Sequence, residues 1–208
     1  MAKGFFSVDE LETTKFDVMD FKGSWLDCLG RPEKAGVWII YGESYHGKTN
    51  FTVKLAKYLT GFVKNKVLIN SLEEGKTESF RLTSLRSDLA SVKDKILLGN
   101  RVPMARVVER LRKQRSPEVI ITDSIQFTDL NKKTYQKLIE DFPKKLFIFI
   151  SNADGKIPRG ALAKHVKNAA MIKIRVEGFK AFPESRFGGG EPYVIHAEKA
   201  AVYHAELN

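Results

Sequence analysis

Residues 42–49 read Gly-Glu-Ser-Tyr-His-Gly-Lys-Thr, which matches the pattern G-x-x-x-x-G-K-T. An apolar run, Val-Trp-Ile-Ile-Tyr at residues 37–41, precedes this stretch, and a helical pattern follows it from residue 50 to about residue 59. In such a strand–turn–helix, the glycines let successive backbone N–H groups point at phosphate oxygens, and the helix N-terminus adds a positive dipole end. The stretch is therefore interpreted as a P-loop; the alternative is an ordinary glycine-rich turn.

The predicted P-loop assigns roles to two side chains. Lys48 is expected to reach the β- and γ-phosphates of a nucleoside triphosphate, and the Thr49 hydroxyl is expected to bind Mg²⁺. The residues predicted to contact the nucleotide are Gly42, Glu43, Ser44, Tyr45, His46, Gly47, Lys48, Thr49 and Asn50. Tyr45 and His46 occupy variable positions of the pattern, so no further chemistry is assigned to them.

The composition is typical of one globular domain. The chain has 208 residues, of which 43% are hydrophobic and 29% are charged, as expected for a protein with a full core. No apolar run approaches the length of a membrane span, and the first residues lack the apolar stretch of a signal peptide. Cys28 is the only cysteine, which excludes an intramolecular disulfide and a cysteine-rich zinc site. We therefore expect a cytoplasmic protein without a membrane partner.

The charge is basic and unevenly distributed. The formal net charge is +10 at pH 7, and the excess of lysine and arginine lies in residues 101–115, 132–145 and 156–180. A basic balance favours a polyanionic partner, usually a nucleic acid, although a basic solvated surface is the alternative. We interpret residues 1–35 as an acidic lead-in and candidate oligomerisation element, and residues 36–208 as the core domain. The apolar residues of the lead-in expected to pack against the core are Phe16, Phe21, Trp25 and Leu29.

Strand-like and helical segments alternate along the core. Strands are predicted at residues 37–41, 66–70, 96–98, 119–122 and 146–150, and helices at residues 50–60, 77–89, 102–114 and 131–141. The strands are mostly continuous apolar runs, which indicates burial on both faces and hence a parallel sheet in an α/β fold. Further strand-like segments at residues 171–176, 179–182 and 193–197 are joined by short glycine and proline turns, and they predict an antiparallel extension of the sheet.

Polar residues follow three of these apolar strands. Asp123 ends the fourth strand as in the Walker B pattern, where a carboxylate holds Mg²⁺ through water; a turn or helix-capping aspartate is the alternative. Glu73 follows the second strand and is placed to accept a proton from water attacking the γ-phosphate; a solvated glutamate at a helix start is the alternative. Asn152 follows the fifth strand and is a candidate sensor of the γ-phosphate.

These segments together resemble the RecA-like ATPase core, in particular its bacterial RadA/Sms and DnaB-helicase branches. Residues 123–126, Asp-Ser-Ile-Gln, match a RadA segment, and residues 71–73, Ser-Leu-Glu, resemble the DnaB strand with the catalytic glutamate. Residues 185–188, Ser-Arg-Phe-Gly, resemble the Lys-Asn-Arg-Phe-Gly segment of RadA. The resemblance covers about residues 36–200. It implies a RecA-like P-loop NTPase with a mostly parallel central sheet, flanking helices and a C-terminal antiparallel extension.

The resemblance also implies roles for single residues and for the assembly. ATP is the expected nucleotide, and Glu73 rather than Glu74 is the expected catalytic glutamate. Arg186 occupies the position of an arginine that acts in trans on the ATP of a neighbouring subunit, while Glu184 stands where the family usually has lysine. A homo-oligomer, as a hexameric ring or a filament, is therefore expected.

Two loops contact DNA in this family, and they correspond here to residues 127–135 and 153–167. Both are basic, and such side chains track the phosphates of a single strand, although a solvated face is the alternative. The segment at residues 152–160, at the start of the second loop, is expected to be flexible. The residues predicted to contact single-stranded DNA are Lys132, Lys133, Lys156, Arg159, Lys164 and Lys167.

The resulting hypothesis is a DNA-dependent ATPase of recombination, repair or replication, working with other proteins of those processes. The main alternative is an ATP-binding accessory or loading protein that uses nucleotide as an assembly switch with little turnover. A small-molecule or nucleotide kinase fits less well, because the chain has no evident acceptor-binding lid. RadA's four-cysteine zinc motif and DnaB's N-terminal helical domain have no counterpart here, which favours a minimal relative of a kind frequent in bacteriophage genomes.

Overall fold

A mixed β-sheet of nine strands runs through the structure, a computed structural model in which residues 4–205 are described. Residues 1–3 and 206–208, at the ends of the predicted lead-in and core, lie outside the described residues. The strands are β1 (Gly36–Gly42), β2 (Val67–Ser71), β3 (Ile96–Asn100), β4 (Val119–Asp123), β5 (Leu146–Asp154), β6 (Ile157–Pro158), β7 (Ile172–Glu177), β8 (Lys180–Ser185) and β9 (Tyr193–Val194). The helices are α1 (Val8–Thr13), α2 (Ser24–Leu29), α3 (Lys48–Leu59), α4 (Glu78–Arg86), α5 (Met104–Leu111), α6 (Lys132–Asp141), α7 (Ala161–Ala169) and α8 (Ala197–Ala205).

The strand order across the sheet is β3-β2-β4-β5-β1-β7-β8-β9, and β6 pairs with β5 outside this series. From β3 to β7 every neighbouring pair is parallel, whereas β8 and β9 are joined to the sheet by antiparallel pairing. The predicted parallel sheet with an antiparallel C-terminal extension is therefore confirmed. The prediction is wrong for the first strand of that extension, at residues 171–176, because β7 pairs in parallel with β1 and so belongs to the parallel part of the sheet. The carboxyl ends of the parallel strands share one edge of the sheet, which we call the carboxyl edge.

Both faces of the central strands are buried, as their unbroken apolar sequences predict. In β1, Trp38 and Ile40 face the layer that contains α2, α3 and α4, whereas Ile39 and Tyr41 face the layer of α5, α6 and α7. Full burial of one large apolar side chain stabilises the fold by about 1.5–3 kcal/mol. These two layers therefore hold the strands in register and fix the residues that reach the carboxyl edge.

Part of the acidic lead-in belongs to this core. Phe21, Trp25 and Leu29 are buried, as expected, and the Trp25 ring stacks on Tyr193 with 4.3 Å between the ring centroids. The expectation for Phe16 is wrong, because its side chain is 51% exposed. Phe16 follows helix α1, and none of the residues of that helix is buried.

A hairpin and a helix form at residues 153–167, where a DNA-contacting loop was predicted. β5 runs on to Asp154, four residues past its predicted end, and pairs with β6. Helix α7 then buries Ala163 and Val166 on the layer of α5 and α6. These residues therefore form a strand pair and a helix rather than an irregular loop, and the flexibility of residues 152–160 stays a prediction. The buried face of α7 consists of two apolar residues three positions apart, Ala163 and Val166. The neighbouring lysines make this spacing difficult to recognise in the sequence.

The C-terminal segment also differs from its prediction. β9 spans only two residues, and helix α8 begins at Ala197, which was expected to end a strand. Only Ala200 of α8 is buried, so its sequence carries little apolar periodicity. Within residues 4–205, no helix is long and apolar enough to cross a membrane.

Candidate nucleotide-binding site

The predicted P-loop joins β1 to α3 at the carboxyl edge. α3 begins at Lys48, two residues before its predicted start, so Lys48 and Thr49 lie in its first turn. Gly47 precedes the helix with a φ of 99°, a left-handed conformation that favours glycine. A Cβ on Gly42 would lie 2.1 Å from the carbonyl oxygen of Val176 in β7. Both glycines of the motif are therefore required by the backbone, and the first helical turn presents free N–H groups to the loop.

The Lys48 ammonium lies among carbonyl and carboxylate oxygens. Its Nζ donates hydrogen bonds to the carbonyl oxygens of Gly42 and Glu43, each at 2.8 Å. Burial lowers the pKa of Lys48, and the carboxylates of Asp123, Glu73 and Glu43 act in the opposite direction. The ammonium therefore lies within electrostatic reach of both acidic residues that the sequence assigns to the site.

The other residues predicted to contact the nucleotide lie on the loop and at the start of α3. Glu43 Oε1 accepts a hydrogen bond from Gly155 N at 3.0 Å, which ties the loop to the turn after β5. Ser44 and Tyr45 are exposed at the tip of the loop, and Asn50 is half-buried in the first turn of α3.

Asp123 ends β4 beside Ser71, its register partner at the end of β2. Its backbone carbonyl accepts hydrogen bonds from Leu72 N at 2.5 Å and from Glu73 N at 3.1 Å, which tie the two strand ends together. The pKa of the Asp123 carboxyl is raised to about 7, first by withdrawal from solvent and then by the charge of Glu73, against the opposing effect of Lys48. A cation bound here would relieve that repulsion.

The oxygen donors at this point suit Mg²⁺. This ion prefers hydroxyl, carboxylate and phosphate oxygens and keeps several of its waters. The Thr49 hydroxyl at the start of α3 and the Asp123 carboxyl at the end of β4 are donors of that kind. No group of three or more His, Cys, Asp or Glu side chains in the described part of the chain could hold a metal ion. A metal at this position would therefore also need phosphate and water oxygens.

Glu73 and Asn152 are joined by a hydrogen bond. Asn152 Nδ2 donates to Glu73 Oε2 at 3.3 Å, and Ser124 Oγ donates to the same oxygen at 3.2 Å. The Glu73 side chain is exposed, so its carboxylate is open to water. Glu74 instead accepts a hydrogen bond from Thr77, the N-cap residue of α4. Of the two glutamates, Glu73 is therefore the one joined to the strand ends of the site.

β5 lies between β1 and β4, and it carries Asn152 to a position beside Gly42, its register partner. Gln126 holds this strand end, although the sequence assigned it no role. Its amide nitrogen donates to Ser151 Oγ and to the Arg159 carbonyl oxygen, both at 2.7 Å, and its Oε1 accepts from Asn152 N at 3.3 Å. The available signal was the place of Gln126 in the Asp-Ser-Ile-Gln segment.

His46 is a second residue whose role the sequence did not indicate. Its Nδ1 accepts a hydrogen bond from Gly178 N, and its carbonyl oxygen accepts one from Phe179 N, both at 3.1 Å. Its ring meets the Tyr203 ring edge-to-face, with 5.2 Å between the centroids. His46 therefore joins the P-loop to the turn between β7 and β8 and to α8. No pattern signals this, because the position is variable in the motif.

Arg186 lies at the opposite edge of the sheet from the P-loop. It follows Ser185, which pairs with Ile172 at the amino end of β7, and Arg186 N donates to the Met171 carbonyl oxygen at 3.2 Å. A strand rises about 3.3 Å per residue, so β7 separates Arg186 from the carboxyl edge by roughly 17 Å. The fold therefore does not bring Arg186 to the P-loop of its own chain.

The residues predicted to contact DNA fall into two groups. Arg159 forms an ion pair with Asp154 at 2.6 Å, and Lys167 Nζ lies 4.5 Å from the centroid of the Tyr41 ring. These two cations are therefore engaged within the chain. The remaining side chains of the set are exposed in the first turn of α6, in the turn after β5 and on α7: Lys132, Lys133, Lys156 and Lys164.

The arrangement of strands and side chains defines the class of protein. A strand that leads into the P-loop, a neighbouring strand that carries a polar residue at its end, and a third strand that ends in an aspartate form the fold of a RecA-like P-loop NTPase core. Residues 17–156, well over half of the chain, match the family described as iSTAND, inactive STAND. The chain belongs to the iSTAND family.

Three solved structures are similar to this chain. The flagellar accessory protein FlaH from Methanocaldococcus jannaschii has a TM-score of 0.59 at 18% identity, over 86% of this chain and 97% of FlaH. The KaiC-like protein PH0186 from Pyrococcus horikoshii has a TM-score of 0.51 at 16% identity, over 78% and 85%. A third structure, described as an ATPase domain, has a TM-score of 0.51 at 13% identity, over 80% and 84%. These identities show a common fold alone. No curated protein sequence matches the chain.

Proposed function

We propose that this chain is an ATPase of the RadA and DnaB kind that binds ATP with Mg²⁺, hydrolyses it at a site completed by a second copy, and is stimulated by single-stranded DNA. The strongest support is the convergence of Lys48, Asp123 and Glu73 at the carboxyl edge, where one cation and two acidic groups lie within electrostatic reach of each other. Transfer of a phosphoryl group to water depends on positioned charges of this kind.

The P-loop and the first turn of α3 form the proposed phosphate site. Their N–H groups would bind the β- and γ-phosphate oxygens, and the Lys48 ammonium would add positive charge to them. Thr49 would be a protein ligand of Mg²⁺ and Asp123 would hold the ion through water, and the ion neutralises phosphate charge when it is bound. The close approach of β7 to Gly42 leaves no room for a side chain at the first glycine of the loop.

Glu73 is the proposed general base. In hydrolysis, the oxygen of a water molecule attacks the γ-phosphorus, and the bond from that phosphorus to the β–γ bridging oxygen breaks, which releases ADP and phosphate. Glu73 Oε2, held by Asn152 and Ser124, would take a proton from the attacking water. Asn152 would in turn connect the γ-phosphate to the turn between β5 and β6.

A second copy is proposed to complete the site through Arg186. The position of this arginine at the far edge of the sheet supports a role in trans, since a head-to-tail contact would place it against the carboxyl edge of a neighbour. Such contacts generate a ring or a filament. The exposed apolar side chains of the lead-in, among them Phe5, Phe6 and Leu11, support its proposed part in assembly.

Single-stranded DNA is the proposed partner of the exposed lysines near the carboxyl edge. Lys132 and Lys133 follow β4, which ends in Asp123, and Lys156 follows β5, which carries Asn152. The DNA phosphates bound by these lysines would therefore be connected to the nucleotide site through the ends of β4 and β5. Binding of this kind depends on salt and tolerates many sequences.

A second candidate function is an ATP-binding switch that assembles or loads other proteins with little turnover. The observation that favours it is the description of the family as inactive. The chain keeps Lys48, Thr49, Glu73 and Asp123, which favours turnover. The two candidates share ATP binding and differ in the rate of hydrolysis.

Steady-state ATP hydrolysis at low salt, with and without single-stranded DNA, tests the proposal. Wild type is expected to hydrolyse ATP faster when DNA is present. Glu73→Gln should still bind ATP while its turnover falls by about 10²–10⁴-fold, and the matched control Glu74→Gln should keep the wild-type rate. ATP binding without measurable turnover in wild type would support the switch instead, and a lack of ATP binding would contradict both candidates.

A further inference from the structure

A cavity of about 340 Å³ lies beside the P-loop, on the side away from Glu73 and Asp123. One wall is Phe179, in the turn between β7 and β8, and the rest is one face of α8. The residues of that face are Glu198, Lys199, Val202 and Tyr203. Phe179, Val202 and Tyr203 make the walls apolar, whereas the exposed Glu198 and Lys199 supply one anionic and one cationic group.

Two residues that line the cavity contact the P-loop. Phe179 N donates to the His46 carbonyl oxygen, and the His46 ring meets the Tyr203 ring. A Cβ on Gly47 would lie 3.2 Å from Phe179 Cδ1, so the wall of the cavity touches the last residue before α3. Tyr203 also covers Gly178, where a Cβ would lie 2.0 Å from Tyr203 Cδ1. The two aromatic walls are therefore fixed against the loop.

The positions of Asn152, Asp123 and Glu73 indicate which way a nucleotide bound at the P-loop is oriented. Asn152 lies on β5, Asp123 ends β4 and Glu73 follows β2. These three strands all lie on one side of β1, whereas β7, β8 and α8 lie on the other side. A triphosphate on the P-loop with its γ-phosphate toward Glu73 must extend its other end toward β7 and α8. The cavity lies at that end.

We propose that this cavity holds the base of the nucleotide, and that α8 thereby selects purine nucleotides; this inference rests on the ATP binding proposed above. Phe179 and Tyr203 offer ring faces or edges to the π-surface of a base, and the larger surface of a purine gains more from them than that of a pyrimidine. Lys199 Nζ lies 5.2 Å from the Phe179 ring centroid, where it can also donate to an acceptor on the base. Glu198 can accept from an amino group of the base.

Binding measurements with two probes separate the two ends of the site. Inorganic tripolyphosphate with Mg²⁺ reports the phosphate end alone, and ATP reports both ends. Tyr203→Leu removes an aromatic wall, and Val202→Trp fills the cavity without removing a contact to Gly178. Ala201→Trp is the matched control, because Ala201 is exposed on α8 but does not line the cavity.

Both cavity variants are expected to weaken ATP binding by at least about fivefold, the lower end of a base-stacking contribution, and to leave tripolyphosphate binding unchanged. Ala201→Trp should bind both probes as wild type does. Wild type should also bind ATP and GTP more tightly than CTP and UTP. Unchanged ATP binding in Val202→Trp and Tyr203→Leu, or equal binding of all four nucleotides, would overturn the inference and leave the proposed function standing. If wild type binds neither probe, or Lys48→Ala binds both normally, the proposed function fails as well.

Discussion

Two acidic groups of the candidate site, Asp123 and Glu73, lie in unlike surroundings. Asp123 is withdrawn from solvent and has a raised pKa, whereas Glu73 is exposed and accepts hydrogen bonds from Ser124 and Asn152. A cation next to Asp123 would lower its pKa and favour the carboxylate. Binding of Mg²⁺ and release of a proton are therefore expected to be linked near neutral pH.

The raised pKa of Asp123 makes the stability of the ligand-free protein depend on pH. Because the folded value of about 7 lies above the ordinary 3.8, the protonated form favours folding. That contribution is complete below the ordinary value and is lost as the pH rises through about 7. Asp123→Asn should therefore raise the Tm more at about pH 8 than at about pH 5, with about 2–4 °C for each kcal/mol. Thermal unfolding of both proteins across this range measures the difference, and parallel profiles would contradict the prediction.

The single thiol is expected to be inert in the folded protein. Cys28 is fully buried in the layer of α2 and α3, and burial raises its pKa to about 12. Because only the thiolate reacts, a thiol reagent should label Cys28 at the rate of unfolding and far more slowly than in urea. Rapid labelling of the folded protein near pH 8 would show that α2 opens without global unfolding.

The site residues that could be predicted from the sequence are those that occupy a fixed position in a sequence pattern. Lys48 and Thr49 follow from the motif, and Asp123 follows from its place after an apolar strand. The contacts of His46 with Gly178 and of Gln126 with Arg159 were not found in this way. His46 is at a variable position of the motif, and the Asp-Ser-Ile-Gln segment marks Gln126 without recording its contacts. The same limit explains why the cavity against α8 had no counterpart in the sequence.

At the scale of elements, the parallel strands were predictable and several of their connections were not. A strand buried on both faces reads as an unbroken apolar run, so β1, β2, β4 and β5 were found with small errors at their ends. The predicted end of β5 is four residues too early, because Ser151 and Asn152 are polar although they pair with Tyr41 and Gly42. Backbone pairing with β1 and then with β6, rather than apolar content, extends this strand.

The first turn of α6 provides a test of DNA binding. Lys132 and Lys133 are exposed there, whereas Lys137 of the same helix pairs with Asp141 at 3.2 Å. Replacing Lys132 and Lys133 together with alanine should lower the salt dependence of single-stranded DNA binding by about 0.7 in logarithmic slope for each lost phosphate contact. The matched control Lys137→Ala should leave the slope unchanged. Equal slopes for wild type and the double variant would show that the lysines of α6 are solvated and do not contact DNA.

At the scale of the whole molecule, the sheet separates two parts of one proposed site. The P-loop lies at the carboxyl edge, and Arg186 lies at the other edge beside Met171. β7 and β8 are held in a paired hairpin, which keeps Arg186 at that edge. In the proposed mechanism, an assembly of copies therefore brings both parts to the same nucleotide.

The variant Arg186→Ala tests this arrangement. The side chain is exposed, so its removal should leave the fold intact and ATP binding unchanged. Hydrolysis should fall by about 10³-fold or more, as when an arginine that stabilises transition-state charge is lost. Glu184→Ala, a neighbouring exposed position, serves as the matched control. A wild-type rate in Arg186→Ala would remove the arginine from the mechanism.

The most direct test of a site shared between two copies is the ATPase rate of a mixture of Glu73→Gln and Arg186→Ala proteins. Each variant alone is expected to be nearly inactive, since each lacks one part of every site. In mixed assemblies, some sites combine the intact Glu73 of one copy with the intact Arg186 of the next, so the rate should recover to at most about a quarter of wild type under random assembly. A mixture no more active than its separate components, although both variants bind ATP and assemble, would contradict hydrolysis at a shared site.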